Sequence, residues 1–212
     1  MATASQSLFN MTVASDNAGG NQGLLMPKLQ FRFRVNFLNF GTGSGLELTK
    51  QVIDCSRPNL SFAEIPLQVY NSTMYVAGKH TWADMNVNIR DDAAGGVSKS
   101  VGSQLQKQMD FVEQASAATG KDYKFQTNIE ILDGGNGVSA PIVLETWELY
   151  GCWLKTANYN ALNYGTSEAV TIALTIKFDN AIQSPLSAGV GTSVGRAFGG
   201  SKDSATGIGS IG

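Results

Sequence analysis

The chain has 212 residues, of which 42% are hydrophobic, only 15% are charged and 24 are glycine, with a formal net charge of −2. That length accommodates one sizeable domain with arms, and the slight acidic balance excludes general attraction to nucleic acid or anionic membrane. Ordinary soluble domains carry about 25% charged residues, so the shortfall implies surface covered by other copies of the same chain.

Residues 1–27 have weak periodicity and a polar patch, DNAGGNQG at 16–23, and read as a flexible or extended N-terminal arm. The start, MATASQSLFNMTVAS, has neither a basic segment nor a long apolar run, and nowhere do about 20 apolar residues follow one another, so neither a signal peptide nor a membrane span is expected. The N-x-S/T triplets at Asn10, Asn59 and Asn71 then read as chance matches.

LQFRFRVNF (29–37) alternates Leu29, Phe31, Phe33, Val35 and Phe37 with Gln30, Arg32, Arg34 and Asn36. Successive side chains of a strand point to opposite faces, so a strand over 29–38 presents an aromatic face to the core and a polar face with two arginines. Single-strand nucleic-acid binders place aromatics and cations together; here they lie on opposite faces, which argues against such a surface. GTGSG (41–45) is a turn, and a second strand is expected over 46–56, before Arg57-Pro58. IPLQVYNSTMYVAG (65–78) reads as an extended stretch or a hairpin broken near Asn71-Ser72, and Ala83 to Arg90 as a half-buried strand.

Val97, Val101, Leu105, Met109 and Val112 predict an amphipathic helix over 97–117, with Asp91-Asp92 capping its start and Gly120 stopping it. A strand follows over 123–132. The apolar strand 142–154 is expected to bulge near Glu145-Thr146, and the Glu145/Glu148 pair to be solvated or at an interface. Val170 to Phe178 form a last alternating strand. The final 29 residues carry eight glycines and six serines, a composition that cannot order itself. The organisation is therefore arm 1–27, domain 28–181 and Gly/Ser-rich tail 182–212. Strand-rich domains of this kind need closed or paired edges.

No constellation for catalysis stands up. GTSVG (191–195) fits a nucleophile elbow around Ser193, but no strand or helix flanks it and His80 precedes it. GIGSIG (207–212) fits a phosphate-binding loop without room for the helix that must follow. One histidine and two distant cysteines, Cys55 and Cys152, make neither a zinc site nor a disulfide framework. No enzyme activity and no cofactor are expected.

Two blocks carry a resemblance: YVAGKHTWADMNVNIRDD from Tyr75, and LYGCWLKTANYNALNYGTSEAVTIALTIKFDNA at 149–181. They resemble the tail tube proteins of contractile-tailed bacteriophages, through Val76, Ala77, Gly78, Thr81, Trp82, Asp84, Asp91, Gly151, Trp153, Leu162, Tyr164, Glu168, Val170, Thr171 and Leu174. The likeness covers roughly 28–180 and leaves both arms unmatched. It implies a mainly β (α+β) fold, a β-sandwich or split barrel of about seven strands with one flanking helix. Six copies would form a ring with a continuous inner barrel, and rings would stack into a hollow conduit for genome ejection. The implied partners are other copies, a sheath protein, baseplate and terminator proteins, and a tape measure and duplex DNA inside the bore without sequence-specific binding; no membrane is implied. The implied location is a virion tail, with assembly in host cytoplasm. The same fold serves type VI secretion and extracellular injection tubes, so an inner tube delivering protein effectors is an alternative. A monomeric β-sandwich binding module is a second one.

Four strands per copy give about 24 around the ring, roughly 115 Å of circumference and a bore of about 25–30 Å after side chains, wide enough for a duplex. Lys124, Gln126, Asn128 and Glu130 are expected to line that bore as a near-neutral wall, because each added cation would grip phosphate. Arg32 and Arg34 are expected at an acidic subunit or sheath contact. The uncharged hairpin, with Leu67, Val69, Tyr70, Met74 and Tyr75, is expected to contact neighbouring copies.

Overall fold

A computed structural model describes residues 28–41, 46–133 and 141–184. The N-terminal arm, the GTSVG and GIGSIG segments and most of the C-terminal tail lie outside the described residues. In chain order the elements are β1 (Phe33–Leu38), α1 (Leu46–Gln51), β2 (Val52–Cys55), β3 (Leu60–Val69), β4 (Ser72–Trp82), β5 (Met85–Arg90) and α2 (Gly96–Gln108). There follow β6 (Met109–Asp110), β7 (Ala115–Ser116), α3 (Gly120–Tyr123), β8 (Phe125–Leu132), β9 (Val143–Asn158), β10 (Thr171–Lys177) and β11 (Asn180–Ser184). Among the described residues, no helix is long and apolar enough to cross a membrane.

Seven strands form one antiparallel sheet in the order β1-β8-β9-β10-β5-β2, with β11 also paired to β9. The 16-residue β9 holds this sheet together. Its first half pairs with β8 and β11, and its second half with β10. The buried face changes phase between Leu149 and Cys152, where Gly151 sits at φ 67°. A residue with a Cβ resists that left-handed conformation, so glycine lets one strand turn from one layer into the other. The result is a split barrel of two sectors, β1-β8-β9-β11 and β9-β10-β5-β2, around a single core. The open ends, β1 and β2, border a hollow of about 530 Å³ lined by Arg32, Phe33, Asp54, Cys55, Ile129 and Ile131 among others.

Alternation accounts for the core. Val35 and Phe37 of β1, Met85, Val87 and Ile89 of β5, and Ile172, Leu174 and Ile176 of β10 are all buried. Phe40 meets Phe125 edge-on at 4.8 Å and Phe37 at 5.4 Å between ring centroids. Helix α2 packs Val97 and Val101 inward, and its buried Gln104 accepts from the Gly41 amide (3.0 Å) while donating to the Tyr123 carbonyl (2.6 Å). Asp92 accepts from the Val97 amide (3.0 Å), the capping role expected at this helix start.

Several elements differ from expectation. The strand predicted over 46–56 is helix α1 followed by the short β2; LELTKQ is rich in helix formers, and Leu48 is anchored in the core. The predicted 97–117 helix ends at Gln108, and β6 and β7 form a small ribbon around Gln114 at φ 54°. Val112 continues the apolar spacing, yet it is exposed. The first strand begins at Phe33, and Phe31 is 74% exposed, with its ring under the Arg32 guanidinium at 5.4 Å. The β9 register shifts at Leu144 and again near Gly151. Strand β11 carries the folded domain to Ser184, into what composition marks as tail.

Candidate subunit interfaces and channel face

The outward face of the first sector is largely polar, with Leu38 and Ile182 set into it. Cross-strand pairing aligns Arg34, Glu130, Thr146 and Ser184 in one row, and Asn36, Asn128, Glu148 and Ile182 in the next. Gln126 lies beside Leu38, and its amide donates to Asn128 (3.1 Å). Three of the four residues expected to line the bore, Gln126, Asn128 and Glu130, therefore share one half-buried face opposite Phe125, Thr127 and Ile129. Lys124 precedes the strand and pairs with Asp179 at 2.5 Å. On this face Arg34 and Glu130 neutralise each other at 2.5 Å, while Glu148 keeps its charge and accepts from the Tyr150 hydroxyl.

That placement brings an expected contact residue beside an expected bore residue. Arg34 and Glu130 were expected on separate surfaces and stand side by side on one. Arg32 donates from Nη1 to the Asp133 carbonyl (2.5 Å). Both arginines thus have partners in their own chain, a carboxylate for Arg34 and a backbone carbonyl for Arg32. Glu145 departs from expectation too: at 4% exposure it is enclosed rather than solvated. It pairs with Lys28 and accepts from Trp147 Nε1 (2.8 Å) and Gln183 Nε2 (2.7 Å). Burial pushes its pKa up, but the Lys28, Gln183 and Trp147 hydrogen bonds outweigh that and hold it below the ordinary glutamate value of 4.5. This cluster ties β11 and the approach to β1 onto β9.

The sheet edges are treated unequally. At Leu154 of β9 the Gln108 side chain accepts from the backbone N–H (2.9 Å) and donates to the C=O (3.0 Å), blocking that stretch of edge. Among the described residues, the outer edges of β1 and β11 pair with no strand. Unpaired edges recruit another chain unless they are covered.

The β3–β4 hairpin spans 60–82, longer than the expected 65–78, and pairs only with itself. Its register puts Ile65, Leu67, Val69, Met74 and Val76 on one face, and Pro66, Gln68, Thr73 and Tyr75 on the other. The five apolar residues form an unbroken stripe, each between 45% and 58% exposed. Tyr70, at the turn, is 101% exposed. Of the expected contact residues, Leu67, Val69 and Met74 thus share the stripe, Tyr75 lies behind it and Tyr70 forms the tip. The root is clamped: Asp84 pairs with Lys155 (2.5 Å) and Lys177 (3.0 Å), and Lys177 donates to the Trp82 carbonyl (2.7 Å). The lysines at Asp84 lower its pKa, Lys155 first.

Sequence reasoning missed Gln108 and β11, and singled out Gly151 and Glu145 without finding their structural roles. Gln108 has no signature in sequence. The bend at Gly151 is signalled only by the phase break in ELYGCWL. Cys55 and Cys152 are both free thiols; burial pushes their pKa up, to about 12 and about 11.

No protein-family model matches the chain, and no curated protein matches it. Solved structures do. The tube-terminating cap of the anti-feeding prophage aligns at a TM-score of 0.56 with 10% identity, covering 77% of this chain and 94% of that one. A chain of the sheath–tube complex of PVC, an extracellular contractile injection system in its extended state, aligns at 0.51 with 12% identity, over 76% and 93%. A chain of the anti-feeding prophage baseplate aligns at 0.50 with 14% identity, over 78% and 100%. At these identities the likeness is one of fold.

Proposed function

We propose that this chain is a structural subunit of a tube inside a contractile machine, forming sixfold rings that stack into a hollow conduit. The observation that carries this reading is the sector β1-β8-β9-β11. Its strands alternate in direction, so β11 of one copy meets β1 of the next as an antiparallel pair. Repetition then closes a barrel without edges. The polar face of the sector becomes the wall of the bore, with Arg34 beside Glu130 there rather than at the sheath. Internally paired charges leave little to hold phosphate, as a conduit for sliding duplex requires.

The tube serves a phage-type tail, passing double-stranded DNA, with sheath, baseplate and terminator as its partners. A second reading, an injection system passing protein effectors, is favoured by the likeness to a chain of the sheath–tube complex of an extracellular contractile injection system. The role is scaffolding rather than catalysis. Negative-stain microscopy of the purified chain tests the reading: rings and hollow rods are expected, and a persistent monomer at high concentration would overturn it. DNA or effector protein recovered from intact particles separates the two cargoes.

A further inference from the structure

The second sector carries protrusions at opposite ends. At one end, where Met85 pairs with Ile176, the Ser56–Asn86 and Ala83–Asn59 backbone hydrogen bonds launch the β3–β4 hairpin. At the other, where Arg90 pairs with Thr171, the loop 159–170 joins β9 to β10. The ladder between them runs six residue pairs, counting both ends, or about 17 Å of strand. The loop carries a single charge, Glu168, and frames a hollow of about 440 Å³ lined by Leu162, Tyr164 and Val170 among others. Leu162 is 81% exposed, an unusual position for a large apolar side chain. The loop is nonetheless shaped: Asn160 Nδ2 donates to the Thr171 carbonyl (3.1 Å) and Oγ1 (2.8 Å), and Asn163 accepts from the Gly165 amide (2.8 Å).

The hairpin tip supplies the matching shape. Tyr70 holds φ 41°, a conformation that glycine or asparagine adopts at lower cost. A bulky aromatic kept there points to a function for its side chain. The geometry points to a knob-and-hollow contact between copies: Tyr70 at the hairpin tip of one subunit seats in the hollow framed by Leu162, Tyr164 and Val170 of a subunit in the next ring. The tip is uncharged, and the hollow offers it Leu162, Tyr164 and Val170 together with polar side chains and one carboxylate, Glu168. Because knob and hollow stand at opposite ends, the contact is head-to-tail and cannot close on itself between two copies, so it propagates along one axis. This inference rests on the tube reading and adds the acceptor for the hairpin.

The test is cross-linking in the full chain with Cys55→Ser as background, Cys152 being buried. Asn71→Cys combined with Leu162→Cys keeps Tyr70, and a short bis-maleimide should convert rods into a ladder of multimers on a denaturing gel. Either cysteine alone should give no ladder. Tyr70→Asp should shorten rods at least tenfold while leaving rings and the melting temperature unchanged. Intact rods that give no ladder, or Tyr70→Asp rods of full length, overturn this contact alone. Failure of the unaltered chain to form rods overturns the tube reading and the contact with it.

Discussion

Leu67→Asp probes the apolar stripe of the hairpin. Leu67 sits at its centre, opposite Met74, with Ile65 and Val69 two residues away on the same face. Each of the five stripe residues is roughly half exposed. Full burial of such a side chain contributes about 1.5–3 kcal/mol, so covering the remainder is worth about 0.7–1.5 kcal/mol each and roughly 4–7 kcal/mol per copy. The substitution removes about 1 kcal/mol of that gain and places an unpaired carboxylate in the contact, at a cost of several kcal/mol. In a ring the loss recurs at every subunit. The isolated fold should be indifferent, because an exposed site of this kind changes stability by about 0.5 kcal/mol or less. Rod length by electron microscopy and melting by circular dichroism read the two effects separately. Rods should vanish while melting stays within about 2 °C of the parent. Rods of parental length would refute the reasoning, and so would a large loss of fold stability, which would make the stripe internal.

Gly151→Ala places a Cβ 2.2 Å from Asp179 Oδ2 in a backbone conformation that disfavours it, and should cost about 1–3 kcal/mol in thermal unfolding. Adding Asp179→Ala should recover only the clash, leaving the backbone cost of about 1–2 kcal/mol. The depressed pKa of Glu145 means that its stabilisation is complete above its unfolded value near 4.5 and is lost as pH falls through the lower folded value. Melting temperature against pH should therefore fall on the acid side, and Glu145→Gln should flatten that limb; an unchanged limb would remove Glu145 from the account. Gln108→Leu leaves the Leu154 N–H and C=O without their partner, costing about 1–3 kcal/mol, and should accelerate hydrogen exchange at the Leu154 amide.

The strands that build the core were legible because period-two alternation survives in them: Val35 and Phe37, Met85 to Ile89, and Ile172 to Phe178 are buried as the pattern requires. The hairpin was legible from its missing charge, and pairing then resolved it into two unlike faces. Other features needed three dimensions. Helix α1 reads as strand because its six residues are too few for a helical period to emerge. Strand β11 hides at the start of a Gly/Ser-rich composition, and only the β9 edge it covers gives it meaning. Glu145 looks like surface until Lys28, Trp147 and Gln183 converge on it from distant positions. That Arg34 and Glu130 share a face follows from the register of β1 with β8, which alternation alone cannot supply.

The central claim is that β11 of each copy completes β1 of the next around a sixfold axis. A helical reconstruction from cryo-electron micrographs of the assembled chain tests it most directly. The account predicts a 24-stranded antiparallel wall around a bore of about 25–30 Å, with the Arg34–Glu130 row facing inward. An assembly in which that row faces outward, or in which β1 and β11 stay unpaired between neighbours, would contradict it.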